Sequence, residues 1–318
     1  MSKSSGGRAG RPSGASGRGQ GGSKRSGPRR GGSGRSGAPR GGPPGGRGSG
    51  GGGSGSGGSS GGGSGGARKG LGGRQVEGRQ AVRELLIAGR RKAHEIWIAT
   101  ELEHDDGVAD IVEIARAQRV PVTYVGRSKL EREARSEAPQ GVLAHAGELP
   151  EADLGELLAQ RTPLPFLVAV DGVTDPGNLG AIVRSCDGAG VTGVLLPRHR
   201  AVHITPTVAK ASAGAIEHVP LAIVPGLPNV LQQLSDAGVW IVGLDDGADR
   251  ALDEIAPLAI ESICLVLGAE GSGLSRLVRD RCDSIVSIPM HGGVGSLNVS
   301  AAAALATYEV ARSRGFGR

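Results

Sequence analysis

FLVAVDGVTDPGNLGAIVRS, residues 166–185, holds the reading that decides the fold. Phe166 to Val170 are all apolar, without the polar alternation of a strand that has one wet face, so both faces of this strand are expected to be covered. Asp175-Pro176-Gly177 is turn chemistry, and Asn178 is placed to cap the helix that follows. A buried strand turning into a helix is the repeating step of a parallel sheet. The step recurs downstream. FLVAV, GVLLP, VWIVG, ICLVLG and SIVSIP read as strands, and GNLGAIVRSCDGA, PTVAKASA, PNVLQQLSDA, LSRLVRDR and VSAAAALATYEVARS as helices. Residues 164–318 are therefore expected to form an α/β domain with a parallel sheet covered on both faces. Ligands of such sheets bind beyond the carboxyl ends of the strands, so the loops after the strands are the ones to search.

Upstream lies a smaller α/β unit, residues 71–148. VEGRQAVRELLIAG reads as an amphipathic helix with Val76, Ala81, Leu85 and Leu86 on one side and Gly89 at its end. EIWIA is a strand. VADIVEIARAQ is a second helix, with Val108, Ile111, Val112 and Ala115 at helical spacing. PVTYV (strand), SKLEREA (short helix) and GVLAHA (strand) follow, and residues 149–163 read as a linker.

Residues 1–70 differ in kind. They hold 31 of the 59 glycines and 13 of the 37 basic residues, with no acid, so the remaining 24 basic residues face all 31 acids. The net charge of +6 belongs to this segment, and the body is mildly acidic. Such a chain buries too little apolar surface to offset its entropy and is expected to be disordered. Its charge suits contact with nucleic acid, and a plain solubilising extension is the simpler alternative. It has no apolar run for a secretory signal, and nowhere does the sequence reach the roughly 18 apolar residues of a membrane span. Cys186, Cys264 and Cys282 form no CxxC pattern and read as small core residues in a reducing cytoplasm. The scattered histidines give no metal-ligand spacing.

Three loops carry chemistry. In VDGVTDPGNLGAIVRS, residues 170–185, Arg184 sits among Ala181, Ile182, Val183 and Cys186, where a guanidinium needs a partner or an anion. In LVLGAEGSGLSRL, residues 265–277, glycines let backbone approach a ligand. Their order is neither GxGxxG nor a P-loop. Glu270 within this turn can bind helix N–H groups, or hold a basic partner or a substrate hydroxyl. In SIPMHGGVGSLNVS, residues 287–300, a glycine-rich turn leads through Ser296, Asn298 and Ser300 into the last helix, whose Val299, Ala303, Ala306 and Val310 form one buried stripe. One polar residue suffices as a cap, so the surplus points to a site.

In this order and at these spacings, DPGNLGAIVRS, LVLGAEGSGLS and IPMHGGVGSLNVSAAAALATYEVAR resemble the three motifs of the SpoU (TrmH) family of RNA ribose 2′-O-methyltransferases. The preceding unit is similar to the family's ribosomal-protein-like RNA-binding domain, and the layout is most similar to the 23S rRNA (guanosine-2′-O-)-methyltransferase branch. The resemblance implies a parallel sheet with a C-terminal trefoil knot and a homodimer through the last helix. It also implies S-adenosylmethionine held by Gly268, Ile288 and Leu297, and a catalytic set of Asn178, Arg184, Glu270, Ser296 and Asn298. On this reading Arg184 binds a phosphate and stabilises the developing alkoxide. Glu270 holds Arg184, and Asn178, Ser296 and Asn298 orient the ribose. No metal is called for.

Aromatic residues make up 2% of the chain, so RNA recognition is expected to lean on phosphate contacts rather than on stacking. Arg74, Arg79, Arg83, Arg90, Arg91 and Lys92 are the candidate RNA-binding residues, with an ordinary solvated helix face as the alternative. Competing functions are a tRNA ribose methyltransferase, a resistance-conferring rRNA methyltransferase and, in a different class, a non-catalytic ribosome-assembly factor. The last is disfavoured by the complete catalytic set.

Overall fold

A computed structural model describes residues 71–199 and 204–315. The basic segment 1–70, expected to be disordered, lies outside the described residues.

The first unit runs β1 (Gln75–Glu77), α1 (Arg79–Ala88), β2 (Ala93–Ala99), α2 (Asp106–Ala117), β3 (Val122–Val125), α3 (Arg127–Glu133) and β4 (Val142–Ala146). Its four-stranded sheet has the order β1-β4-β2-β3, with only β2 and β3 parallel. Val76, read as part of the first helix, lies in β1. Gly78 at φ 97° turns the chain, and α1 begins only at Arg79. Ala81, Val82, Leu85 and Leu86 form its buried side, and Gly89 closes it in the left-handed conformation that its missing Cβ permits.

After α4 (Leu154–Ala159) the second unit runs β5 (Phe166–Val170), α5 (Pro176–Gly188), β6 (Gly193–Pro197), α6 (Pro206–Ala211), β7 (Leu221–Val224), α7 (Leu227–Asp236), β8 (Trp240–Leu244), β9 (Arg250–Ala251), α8 (Ala256–Ala259), β10 (Ile263–Leu267), α9 (Arg276–Arg279), β11 (Ser284–Ser287) and α10 (Val299–Ser313). Its seven-stranded sheet, β7-β6-β5-β10-β8-β11-β9, is parallel at every pairing. Both faces are covered. Phe166, Val168 and Val170 pack toward α5 and α10, while Leu167 and Ala169 pack toward α7 and α9. Each fully buried large apolar side chain stabilises the fold by roughly 1.5–3 kcal/mol. The α10 stripe Val299, Ala303, Ala306 and Val310 is buried as its spacing predicted.

The register places the site. Val170 is paired with Leu267, and Leu267 with Leu244. Three central strands thus end level, and the chain after each emerges side by side at one edge.

The two units share a buried junction. Arg91, 3% exposed, pairs with Glu217, 1% exposed, through Nε–Oε2 at 3.0 Å and Nη2–Oε1 at 2.5 Å. Its Nη1 also donates to the carbonyls of Gly73 and Gly147. Arg90 donates to the carbonyls of Glu217, His218 and Val219, and His218 lies 2.8 Å from Glu84.

Candidate active site

Pro176 occupies the first turn of α5, a position that suits its fixed φ and missing N–H. The cap is therefore Asp175, not Asn178 as the sequence suggested. The Asp175 carboxylate accepts the Asn178 N–H at 2.7 Å. This correction matters, because it leaves the Asn178 side chain available.

Asn178 uses that side chain across the gap between loops. Its Nδ2 donates to Glu270 Oε1 at 3.0 Å. From the third loop, Asn298 Nδ2 donates to Asn178 Oδ1 at 3.0 Å and to Glu270 Oε1 at 2.6 Å. The other end of Asn298 caps α10, its Oδ1 accepting the Ser300 N–H at 2.9 Å and the Ser300 hydroxyl at 2.5 Å. The surplus of polar groups at this corner is thus resolved. One asparagine serves as cap through its oxygen and as site through its nitrogen. Glu270 is left with Oε1 saturated, and among the described residues no group donates to Oε2.

Arg184 is elsewhere. It is exposed, and its side chain makes no hydrogen bond or ion pair with the described residues. The expected Glu270–Arg184 pair is absent; Glu270 is held by two side-chain amides instead. Helix geometry gives the reason. Six residues of α-helix turn through about 600°, so Arg184 lies roughly 120° around α5 from Asn178. The same rotation carries it away from its apolar sequence neighbours, and the partner expected of it is not needed.

Beside this network a cavity of about 410 Å³ opens at the strand ends. Leu244, Gly268, Ile288, Ser296 and Leu297 line it, together with Asp245 and Asp246. Gly268 has a strict steric reason to be glycine: a Cβ there would lie 2.3 Å from the carbonyl carbon of Gly273. Ala269 and Gly273 exchange backbone hydrogen bonds at 3.1 and 2.9 Å, closing the turn. Asp171 Oδ2 accepts the Ser275 N–H at 2.8 Å, tying the first loop to the second. The Asp245 carboxylate pairs with Arg279 at 2.5 Å. Asp245 and Asp246 escaped the sequence reading and left no local signal, while Asp175 was read as turn chemistry rather than as the cap, and Ser300 only as part of the polar surplus before the last helix.

The candidate RNA-binding cluster is dispersed. Arg74 pairs with Glu148, Arg79 with Asp105, and Arg83 with Asp110 and Glu84. Arg90 and Arg91 serve the junction, and burial removes Arg91 from any phosphate contact. Lys92 is exposed. Among the described residues no cluster of three or more metal-ligating side chains exists, and no helix is long and apolar enough to cross a membrane.

Level strand ends, a glycine-cradled cavity and a polar network open to solvent define a ligand-binding edge of a parallel α/β sheet. Comparison with known proteins gives the class. Residues 165–308 match the model of the SpoU rRNA methylase family, and residues 75–152 match the model for RNA 2′-O ribose methyltransferase substrate binding. The 23S rRNA (guanosine-2′-O-)-methyltransferase RlmB of Shewanella oneidensis is 42% identical over 240 residues, covering 74% of this chain and 95% of that protein. YacO of Bacillus subtilis, named for the TrmH family of tRNA/rRNA methyltransferases, is 40% identical over 70% of this chain and 90% of its own length. The SpoU methyltransferase AviRb of Streptomyces viridochromogenes, solved with its cofactor AdoMet, superposes with a TM-score of 0.64 at 28% identity, covering 77% of this chain and 91% of that one.

The class is RNA ribose 2′-O-methyltransferase, with S-adenosylmethionine as methyl donor. This chain belongs to the SpoU (TrmH) family.

Proposed function

We propose that the protein methylates the ribose 2′-oxygen of a guanosine in 23S rRNA. The observation that carries this reading is likeness to the RlmB relative through both units, over 95% of that protein's length. The name of the B. subtilis relative leaves tRNA as the second reading. RNA is met in the cytoplasm, where three unpaired thiols also fit.

The cavity suits S-adenosylmethionine. Leu244, Ile288 and Leu297 give apolar walls, backbone at Gly268 can approach closely, and Asp246 adds negative charge beside a cationic ligand, Asp245 being paired with Arg279. Gly268, Ile288 and Leu297 would hold the cofactor, which supplies a methyl group already activated by its sulfonium, so no metal is needed.

The chain's own residues do the rest. Alignment of the ribose supplies much of the rate. Asn178 and Asn298 fix Glu270, whose Oε2 accepts the 2′-hydroxyl and takes its proton as the oxygen gains the methyl group. Ser296 borders the same space. Arg184, exposed on α5 and away from Glu270, binds a substrate phosphate. Leu305 and Tyr308, 48% and 47% exposed on α10, offer a face for a second copy of the chain, so the working form is a homodimer. A trefoil-knotted path through β8, β10 and β11 belongs to the same reading.

The test offers protein-free 23S rRNA, 16S rRNA and bulk tRNA to the purified protein with labelled S-adenosylmethionine, using Asn178→Ala as control. Label confined to 23S rRNA and lost in the control is expected. Label confined to tRNA would overturn the rRNA assignment.

A further inference from the structure

We propose that Ser300 is a positioning residue: its N–H selects which end of the Asn298 amide faces it, its hydroxyl clamps the amide in that setting, and together they decide which oxygen of Glu270 faces the ribose. The proposal rests on the reading of this network as the methylation site.

The argument is one of donors and acceptors. A side-chain amide has a donor end and an acceptor end, and turning it by 180° exchanges them. Asn298 Oδ1 receives two donors from one residue, the Ser300 N–H at 2.9 Å and the Ser300 hydroxyl at 2.5 Å. A turned amide would set Nδ2 against the Ser300 N–H, which can only donate, and Oδ1 against the Glu270 carboxylate, which can only accept; the hydroxyl adds a short second bond that clamps the amide in the favoured setting. With the amide held, Nδ2 can only point at Asn178 Oδ1 and Glu270 Oε1. Oε1 is then occupied twice, once by each asparagine, and Oε2 is the oxygen left to a substrate hydroxyl. Ser300 does not line the cavity. It acts at two removes, through Asn298 and then Glu270.

The backbone N–H alone makes the capping bond, so Ser300→Ala keeps the cap and removes only the second lock. This separates positioning from folding.

The experiment compares wild type, Ser300→Ala and Ser300→Thr by single-turnover methyl transfer, by S-adenosylmethionine titration calorimetry, and by hydrogen exchange of the Asn298 side-chain amide in NMR. For Ser300→Ala the expected result is a rate about tenfold lower, the scale of one hydrogen bond to a polar network. Cofactor affinity should be unchanged and the Asn298 amide protons should exchange faster. Ser300→Thr should return the rate to within about twofold of wild type, since it keeps the hydroxyl. A Ser300→Ala enzyme with wild-type rate and amide exchange would overturn the proposal, and so would a loss that threonine does not restore. If the wild type itself labels no RNA, the functional reading fails, and the amide exchange still decides whether Ser300 orients Asn298.

Discussion

Replacing Arg91 by alanine should destabilise the protein far more than loss of a surface arginine. The guanidinium is 3% exposed and makes four bonds: two to the Glu217 carboxylate, itself 1% exposed, and one each to the carbonyls of Gly73 and Gly147. Arg91→Ala removes all four donors at once and strands a buried carboxylate. Breaking a buried pair from one side costs about 3–5 kcal/mol. With a urea slope near 2 kcal/mol per molar, the midpoint should fall by about 1.5–2.5 M. Circular dichroism over a urea titration measures this. The double variant Arg91→Met/Glu217→Leu should recover most of the loss, because no charge is then left alone. A midpoint for Arg91→Ala within about 0.3 M of wild type would refute the reasoning, a shift too small for any buried pair. A double variant no better than the single one would refute it as well. RNA binding gives a cross-check: the salt dependence of affinity, which counts phosphate contacts, should be unchanged in folded Arg91→Met/Glu217→Leu and shallower in Lys92→Ala.

Three further outcomes are expected. Asn298→Asp keeps an oxygen to cap α10 but sets a second acceptor against Glu270, so melting should stay within a few degrees of wild type while methyl transfer falls by about a hundredfold or more; retained activity would show that the Asn298 donor is dispensable. Gly268→Ala forces a Cβ to within 2.3 Å of the Gly273 carbonyl carbon and should abolish S-adenosylmethionine binding in calorimetry; an unchanged affinity would remove the turn from the cofactor site. Burial pushes the Cys186 and Cys264 thiols well up and the Cys282 thiol up to about 12, so thiolate is scarce at pH 8. Iodoacetamide should spare all three in the folded protein and modify all three in urea, and rapid native labelling of Cys186, read by mass spectrometry, would contradict the packing.

The fold was legible where local pattern decides it. Five apolar residues in a row at FLVAV or ICLVL leave no wet face, and a parallel sheet with two covered faces follows. The small residues of α10 likewise announced its buried stripe. What local pattern cannot carry is partnership at a distance. Arg91 stands 126 positions from Glu217 and reads in sequence as one of a run of surface cations. The order of strands in the sheet is hidden for the same reason. One error could have been avoided: Pro176 at a helix start already names Asp175 as the cap. The site residues themselves stood out because polar groups crowded at Ser296, Asn298 and Ser300 exceed what one helix start can use. Which end of Asn298 faces which partner needed the structure.

The central claim is that the three loops build a site for methylating a ribose oxygen. Its most direct measurement is the chemical position of the transferred methyl group. RNA labelled by the purified protein would be digested to nucleosides and analysed by mass spectrometry. The account predicts label on the ribose of guanosine, at the 2′-oxygen, and none from Asn178→Ala. Label on a base, or label undiminished in that variant, would contradict it.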